Sequence, residues 1–175
     1  MIPGSRIAVM PLTAICICQP AQAMVYLTIE QAQQLMFGAR PLAALPVVLS
    51  ATDIAAIEHD SGVKVYTNSL RSWKAADGYF FVDAVVGKHD LIDYAVALTA
   101  EGKIRQIEIL EYREAYGGEV RNSHWRAQFV GRHYGDPIQI GQDIQSISGA
   151  TLSCQHLTDG IRRLLSTYAI AIAGR

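Results

Sequence analysis

The chain is poor in cysteine, in charge and in long apolar runs. Only three cysteines occur in 175 residues. Two of them, Cys16 and Cys18, sit close to the N-terminus. Beyond residue 23 only Cys154 remains, so that part of the chain forms no internal disulfide, and its stability must come from a packed core. Cys16-x-Cys18 lacks the neighbouring histidines or cysteines that would complete a metal set. No two histidines stand at His-x-x-x-His spacing, and no Cys-x-x-Cys-His appears, which excludes the usual helix-borne zinc pair and haem attachment. Gly-x-Gly-x-x-Gly, the phosphate-loop pattern ending in Gly-Lys-Ser/Thr, and Gly-x-Ser-x-Gly are absent. Dinucleotide, nucleoside-triphosphate and serine-hydrolase readings therefore have no motif. Charged residues make up 18% of the chain, the formal net charge is −1, and no basic run occurs. Nucleic-acid binding has no electrostatic footprint.

What the chain does have is a hydrophobic content of 50%, enough to bury a core in a single domain. The N-terminus reads as an export signal. Arg6 supplies a basic start, and the apolar stretch from Ile7 to Cys18 follows. Ala21-Gln22-Ala23 then fits the small-x-small cleavage pattern. The apolar stretch falls short of the ~20 residues that span a bilayer, and Pro11 interrupts it. Cleavage after Ala23 would leave a mature chain starting at Met24, located in the periplasm or on the outer face of the inner membrane.

Thr28 and Gln31 stand at capping-box spacing. They predict a helix to about Phe37, stopped by Gly38 and Pro41, with Ile29, Ala32, Leu35 and Met36 on one face. Residues 40–50 carry Pro41 and Pro46 and read as a loop or short edge strand. A second short helix, Asp53 to His59, follows a Ser50 or Thr52 cap and stops at Gly62. Val63 to Thr67 and Arg71 to Lys74 read as short strands. Tyr79 to Val86, Leu91 to Thr99 and Lys103 to Leu110, separated by the turns at Gly87 to Asp90 and Glu101-Gly102, read as an antiparallel meander. Its imperfect alternation suits a sheet covered in part on both faces. A polar, glycine-bearing loop follows from Glu111 to Glu119, then a short helix with Trp125 and Phe129 on one side. The last helix, about Ser153 to Ala171, puts Leu157, Ile161, Leu164, Leu165 and Tyr168 on one face and turns Arg162 and Arg163 to solvent. The expected fold is α+β, an antiparallel β-sheet flanked by helices in a single domain. Its expected parts are a signal peptide at 1–23, an N-terminal extension of helices and strands at 24–78, and the main domain at 79–175.

Ser148-Gly149-Ala150-Thr151, followed by Leu152-Ser153, places small residues and a hydroxyl at the mouth of the last helix. A helix N-terminus presents unpaired N–H groups and the positive end of the dipole, which suits a phosphate. Gly149 tolerates unusual dihedrals and close approach, Ala150 keeps bulk away, and Ser148 and Ser153 offer hydroxyl donors. Taken by itself, Thr151 reads first as a plain helix cap.

The segment from Tyr79 to Tyr168 resembles the FMN-binding domain family, known from subunits of bacterial sodium- and proton-translocating redox complexes and from smaller exported flavoproteins. The likeness rests on Ser148 to Thr151, on Trp125-Arg126-Ala127-Gln128-Phe129-Val130-Gly131, and on Glu114-Ala115-Tyr116-Gly117. The last of these is similar to the family's Glu-Thr-Pro-Gly segment. The resemblance implies FMN as cofactor, phosphoester-linked to Thr151 by an FMN transferase that uses FAD and magnesium. Ser148, Gly149, Ala150 and Ser153 would surround the phosphate. Glu114 and Gly117 would lie in a loop bordering the isoalloxazine ring, where Tyr112 or Tyr116 could pack. One position departs: the family commonly has an aspartate six residues before the modified threonine, and here Gln145 stands there, with Asp143 two residues earlier. The implied role is an electron relay between a membrane electron-transfer complex and a periplasmic redox partner. Two other readings stay open. One is an FMN-dependent reductase of a small substrate, with His124, His133 or Arg126 as proton donor. The other is a flavin-free periplasmic interaction module.

Overall fold

A computed structural model describes residues 24–114 and 116–173. The expected signal segment, its cleavage point at Ala23, Cys16, Cys18 and Ala115 lie outside the described residues. The architecture is α+β: a curled antiparallel sheet with helices on both faces.

Two helices begin where short-range chemistry places them. Helix α1 (Ile29–Phe37) opens on a complete capping box: Gln31 N–H donates to the Thr28 hydroxyl at 3.2 Å, and Thr28 N–H to the Gln31 side chain at 2.8 Å. Helix α2 (Ala51–Ser61) repeats the device with Ser50 and Asp53 and ends at the left-handed Gly62. It is longer at both ends than the predicted Asp53 to His59. The buried face of α1 is Ala32, Met36 and Phe37. Leu35, expected on that face, is exposed, because the face centres on Ile29 and Met36 and Leu35 falls to its side.

The sheet runs β1 (Met24–Val25), β7 (Ile104–Tyr112), β6 (Leu91–Thr99), β5 (Gly78–Val86), β4 (Ser69–Ala75) and β2 (Ala43–Ala44). The short β3 (Val47–Val48) also pairs with β4. The predicted meander is thus joined by β4, which pairs from Arg71↔Val82 to Ala75↔Gly78. Residues from both ends of the 24–78 segment enter the same sheet, since Met24 pairs with Tyr112. Val63 to Thr67 is not a strand. Its backbone is held by side chains instead: Val65 N–H donates to Glu58 and Lys64 C=O accepts from Arg163.

Helix α4 (Thr151–Ala171) lies on one face of the sheet. Its Cys154, Leu157, Ile161, Leu164 and Tyr168 pack on Val85, Tyr94, Val96 and Ile107, with Trp125 and Phe129 of the region around helix α3 (Ser123–Ala127) closing the core. Helix α1 covers the other face over Phe80, Val82, Ala95 and Ala97. Coverage of both faces explains why Tyr94 to Leu98 is buried without alternation.

Gly160 sets how closely α4 approaches. A Cβ there would lie 2.5 Å from Val85 Cγ1 and 2.6 Å from the Tyr94 hydroxyl. In an exposed helix Gly→Ala gains up to ~1 kcal/mol. Here the methyl must push the helix off the sheet. Gly160→Ala is therefore expected to lower stability by a net ~1–2 kcal/mol, read as a lower urea midpoint. An increase would show that the helix can lift away without cost.

The expectation that Arg162 and Arg163 face solvent is corrected. Arg163 is buried, and its guanidinium donates to Asp83 Oδ2 at 2.8 Å, to Lys64 O at 2.9 Å and to Ala84 O at 3.2 Å. Arg162 is half-buried and reaches Ser61 O, Ile138 O and Asp159. Both faces of α4 meet protein, one on the sheet and one on α2, so periodicity alone misassigned them.

Candidate functional site

Contacts along α4 orient it. Gly160 meets Val85 and Tyr94, whereas Tyr168 meets Gly102 and donates to Ala100 O. The helix thus runs toward the β6–β7 turn, and its start lies at the opposite end of the sheet, with the β5–β6 turn and the loop after β7.

The helix begins at Thr151, with Ala150 as its N-cap and no side-chain cap. Thr151 is therefore the first helical residue and not a cap, which removes the ordinary structural explanation of its hydroxyl. The first bonded N–H at this end is that of Cys154, to Ala150 O at 2.9 Å. The N–H groups of Thr151, Leu152 and Ser153 have no partner among the described residues. Helices α1 and α2 both carry capping boxes, so the bare start of the longest helix is a local departure from the chain's own practice.

The other residues singled out in the sequence have mixed environments. Ser148 and Thr151 are exposed, and neither hydroxyl has a partner among the described residues. Gly149 has φ +86°, and a Cβ there would meet nothing within 4 Å. Its glycine is required by backbone conformation, not by crowding. Ala150 is buried in the main core, so its methyl packs inward. Ser153 is buried, and its Oγ lies 2.9 Å from the Tyr112 hydroxyl, which itself donates to Tyr116 C=O. A phenol has one hydrogen, so Ser153 is the donor of the pair. Its proton is spent on Tyr112 and not aimed outward, which corrects the expectation of a phosphate donor.

Gly117 joins this group. It has φ +94°, and a Cβ there would lie 2.5 Å from both Ser153 Oγ and the Tyr112 hydroxyl. Glu114 is occupied differently. Its carboxylate accepts from the backbone N–H of Asp90, at 2.9 Å, and of His89, fastening the β5–β6 turn. Partial burial raises its pKa, but those N–H bonds outweigh it and hold the carboxyl below the usual range.

Gln145 is exposed and is held only through its backbone, by Trp125 Nε1 to its carbonyl at 2.7 Å and by its N–H to Gln128 at 2.8 Å. Asp143 does not stand in for the missing acid. It accepts from Gln139 N–H at 2.9 Å and pairs with Arg132 at 3.3 Å. Of the proton-donor candidates, Arg126 is spent on Ile107 O, Arg121 O and Glu108, His133 pairs with Asp136, and His124 is exposed with its backbone N–H on Asn122.

Cys154 is buried, accepts a hydrogen bond from Ile147 N–H, and has its thiol pKa pushed up by burial. A buried, protonated thiol is unreactive. A chain beginning at residue 24 is expected to resist maleimide until it is denatured. Rapid labelling of the native protein would contradict the packing of the first turn of α4.

A cleft of ≈ 240 Å³ opens elsewhere, where β4 parts from β5 beyond Arg71↔Val82 and pairs with β3 instead. Its wall includes Arg163, which is about 18 Å of helix from Thr151. Two of its polar groups are consumed: Asp83 accepts from Ala84 N–H and Arg163 donates to Ala84 O. No cluster of metal-ligating side chains occurs among the described residues, and no described helix is long and apolar enough to cross a membrane.

Residues 87–166 match a family described as FMN-binding domain. Among solved structures, that of Shewanella oneidensis NqrC aligns with a TM-score of 0.43 at 17% sequence identity, over 74% of this chain and 67% of that one. A comparison with curated proteins returns no match. The matched stretch contains the whole Ser148 to Thr151 turn and the Tyr112 to Gly117 loop, and the geometry fits the phosphate end of the cofactor. An uncapped helix start, a free Thr151 hydroxyl and an open Gly149 turn leave room and donors for a phosphate.

Proposed function

The chain carries an FMN-binding domain with FMN as its cofactor, and from that premise we propose an exported flavoprotein holding FMN through a phosphoester at Thr151 and relaying electrons. The observation that carries the attachment point is the unpartnered Thr151 hydroxyl on an uncapped helix. In the forming step, Thr151 Oγ takes the flavin-bearing phosphoryl group from FAD. One P–O bond forms, the diphosphate bond breaks, AMP leaves, and the hydroxyl proton passes to solvent. Helix N–H groups of Leu152 and Ser153 then face the phosphate charge. When bound, FMN supplies one- and two-electron transfer. The residues of this chain bind the phosphate, exclude water on the core side through Ala150, and hold the adjoining loop through Tyr112.

The carrier reading is supported by the lack of a nicotinamide motif and by the commitment of Arg126 and His133 to other partners. It makes a membrane electron-transfer complex and a periplasmic acceptor the natural partners, with an FMN transferase for maturation. Export rests on Arg6, the stretch from Ile7 to Cys18, and Ala21 to Ala23.

The test is the intact mass of the protein purified from the periplasm of a host that has the transferase. The expected mass is that of residues 24–175 plus FMN less water, with yellow colour retained after denaturation. Colour lost on denaturation would refute the covalent bond. A mass including residues 1–23 would refute cleavage.

A further inference from the structure

We propose that Tyr116 is the side chain that covers the flavin ring, and that Tyr112 is the residue that positions it. This rests on FMN being held at Thr151. Tyr116 is 87% exposed, the most exposed of the large hydrophobic side chains described. Exposure alone does not set it apart, since Tyr66 is 79% exposed as well; its place beside the first turn of α4 does. Its backbone is not free in the same way. The Tyr116 carbonyl accepts from the Tyr112 hydroxyl, which accepts in turn from Ser153 in the first turn of α4. The next residue, Gly117, is wedged between the same two hydroxyls with no space for a Cβ.

The loop is thus fastened to the helix turn that begins at Thr151, while its aromatic side chain stays exposed. Tyr112 itself is buried, and burial pushes its pKa up. It stays protonated at neutral pH and keeps donating to the loop. The network Ser153, Tyr112, Tyr116 C=O has no outward donor, so phosphate binding does not explain it. Fixing the loop does.

A phenol in contact with an excited isoalloxazine quenches its emission by an electron transfer that at once reverses, with no net chemistry. Emission therefore reads the contact independently of electron-transfer activity. The test compares flavin emission and its accessibility to iodide in the exported, FMN-loaded protein and its variants. Tyr116→Leu is expected to raise emission severalfold, because the quenching phenol is removed. Tyr116→Trp should stay dark, since indole also quenches. Tyr112→Phe keeps the buried ring but frees the loop, so emission should rise about twofold and iodide access should increase, although Tyr116 is still present. Bound FMN with unchanged emission in the Leu variant would overturn the assignment of Tyr116. Unchanged emission in Tyr112→Phe would overturn the positioning role. Purified protein without any FMN would overturn both, together with the reading of the site.

Discussion

Thr151→Ala is expected to abolish all covalently held FMN while leaving the fold intact. The mass increment should vanish and the denatured protein should be colourless. The reason both halves can be expected together is local. The Thr151 hydroxyl makes no bond to any described residue, and its position is the first of a 21-residue helix. Alanine is at least as good a helix former there, so the urea midpoint should not fall. Thr151→Ser keeps the nucleophile and should retain part or all of the adduct. An adduct surviving in the alanine variant would move the attachment, with exposed Ser148 the nearest hydroxyl to examine. Gln145 adds a graded arm to the same experiment. Its side chain is exposed and its bonds are made by its backbone, so Gln145→Asp is structurally neutral. If the transferase reads an acid at that position, the flavinylated fraction should rise. An unchanged fraction would show that the transferase accepts glutamine.

The largest loss of stability is expected farther along α4, at the buried pair of Asp83 and Arg163. Arg163 is 7% exposed and Asp83 is its one acidic partner among the described residues, and the Tyr94 hydroxyl donates to the same oxygen at 3.0 Å. Asp83→Leu leaves a guanidinium buried without a counter-charge and removes the acceptors of the Tyr94 hydroxyl and the Ala84 N–H. Breaking one half of such a pair costs about 3–5 kcal/mol. For a chain of this size that lowers the melting temperature by roughly 10 °C. Asp83→Leu combined with Arg163→Met should recover much of the loss, because two apolar groups replace two charges. A single variant as stable as the parent would mean that water reaches Arg163. Neither variant touches the first turn of α4, so FMN loading should persist in whatever fraction stays folded.

The elements that sequence made legible are those governed by neighbours in the chain. Thr28 with Gln31 and Ser50 with Asp53 cap their helices through bonds spanning three residues. The strands of the meander and the long C-terminal helix follow from β-branched runs and 3.6-residue spacing. The turn from Ser148 to Thr151 is legible as a helix start because its small residues and hydroxyl are contiguous. Tertiary structure decided what depends on partners far along the chain. Arg163 meets Asp83 and Lys64, Ser153 meets Tyr112, and Met24 pairs beside Tyr112. None of these separations leaves a periodic trace. Only the packed sheet turned Ser153 inward, tied Glu114 to the β5–β6 turn, and left Tyr116 as the aromatic group beside the helix start. Sequence determined the local character of the turn from Ser148 to Thr151, because capping and helix initiation act over a few residues. Only the tertiary structure decided which hydroxyls remain free, because that depends on which distant groups the fold brings to them.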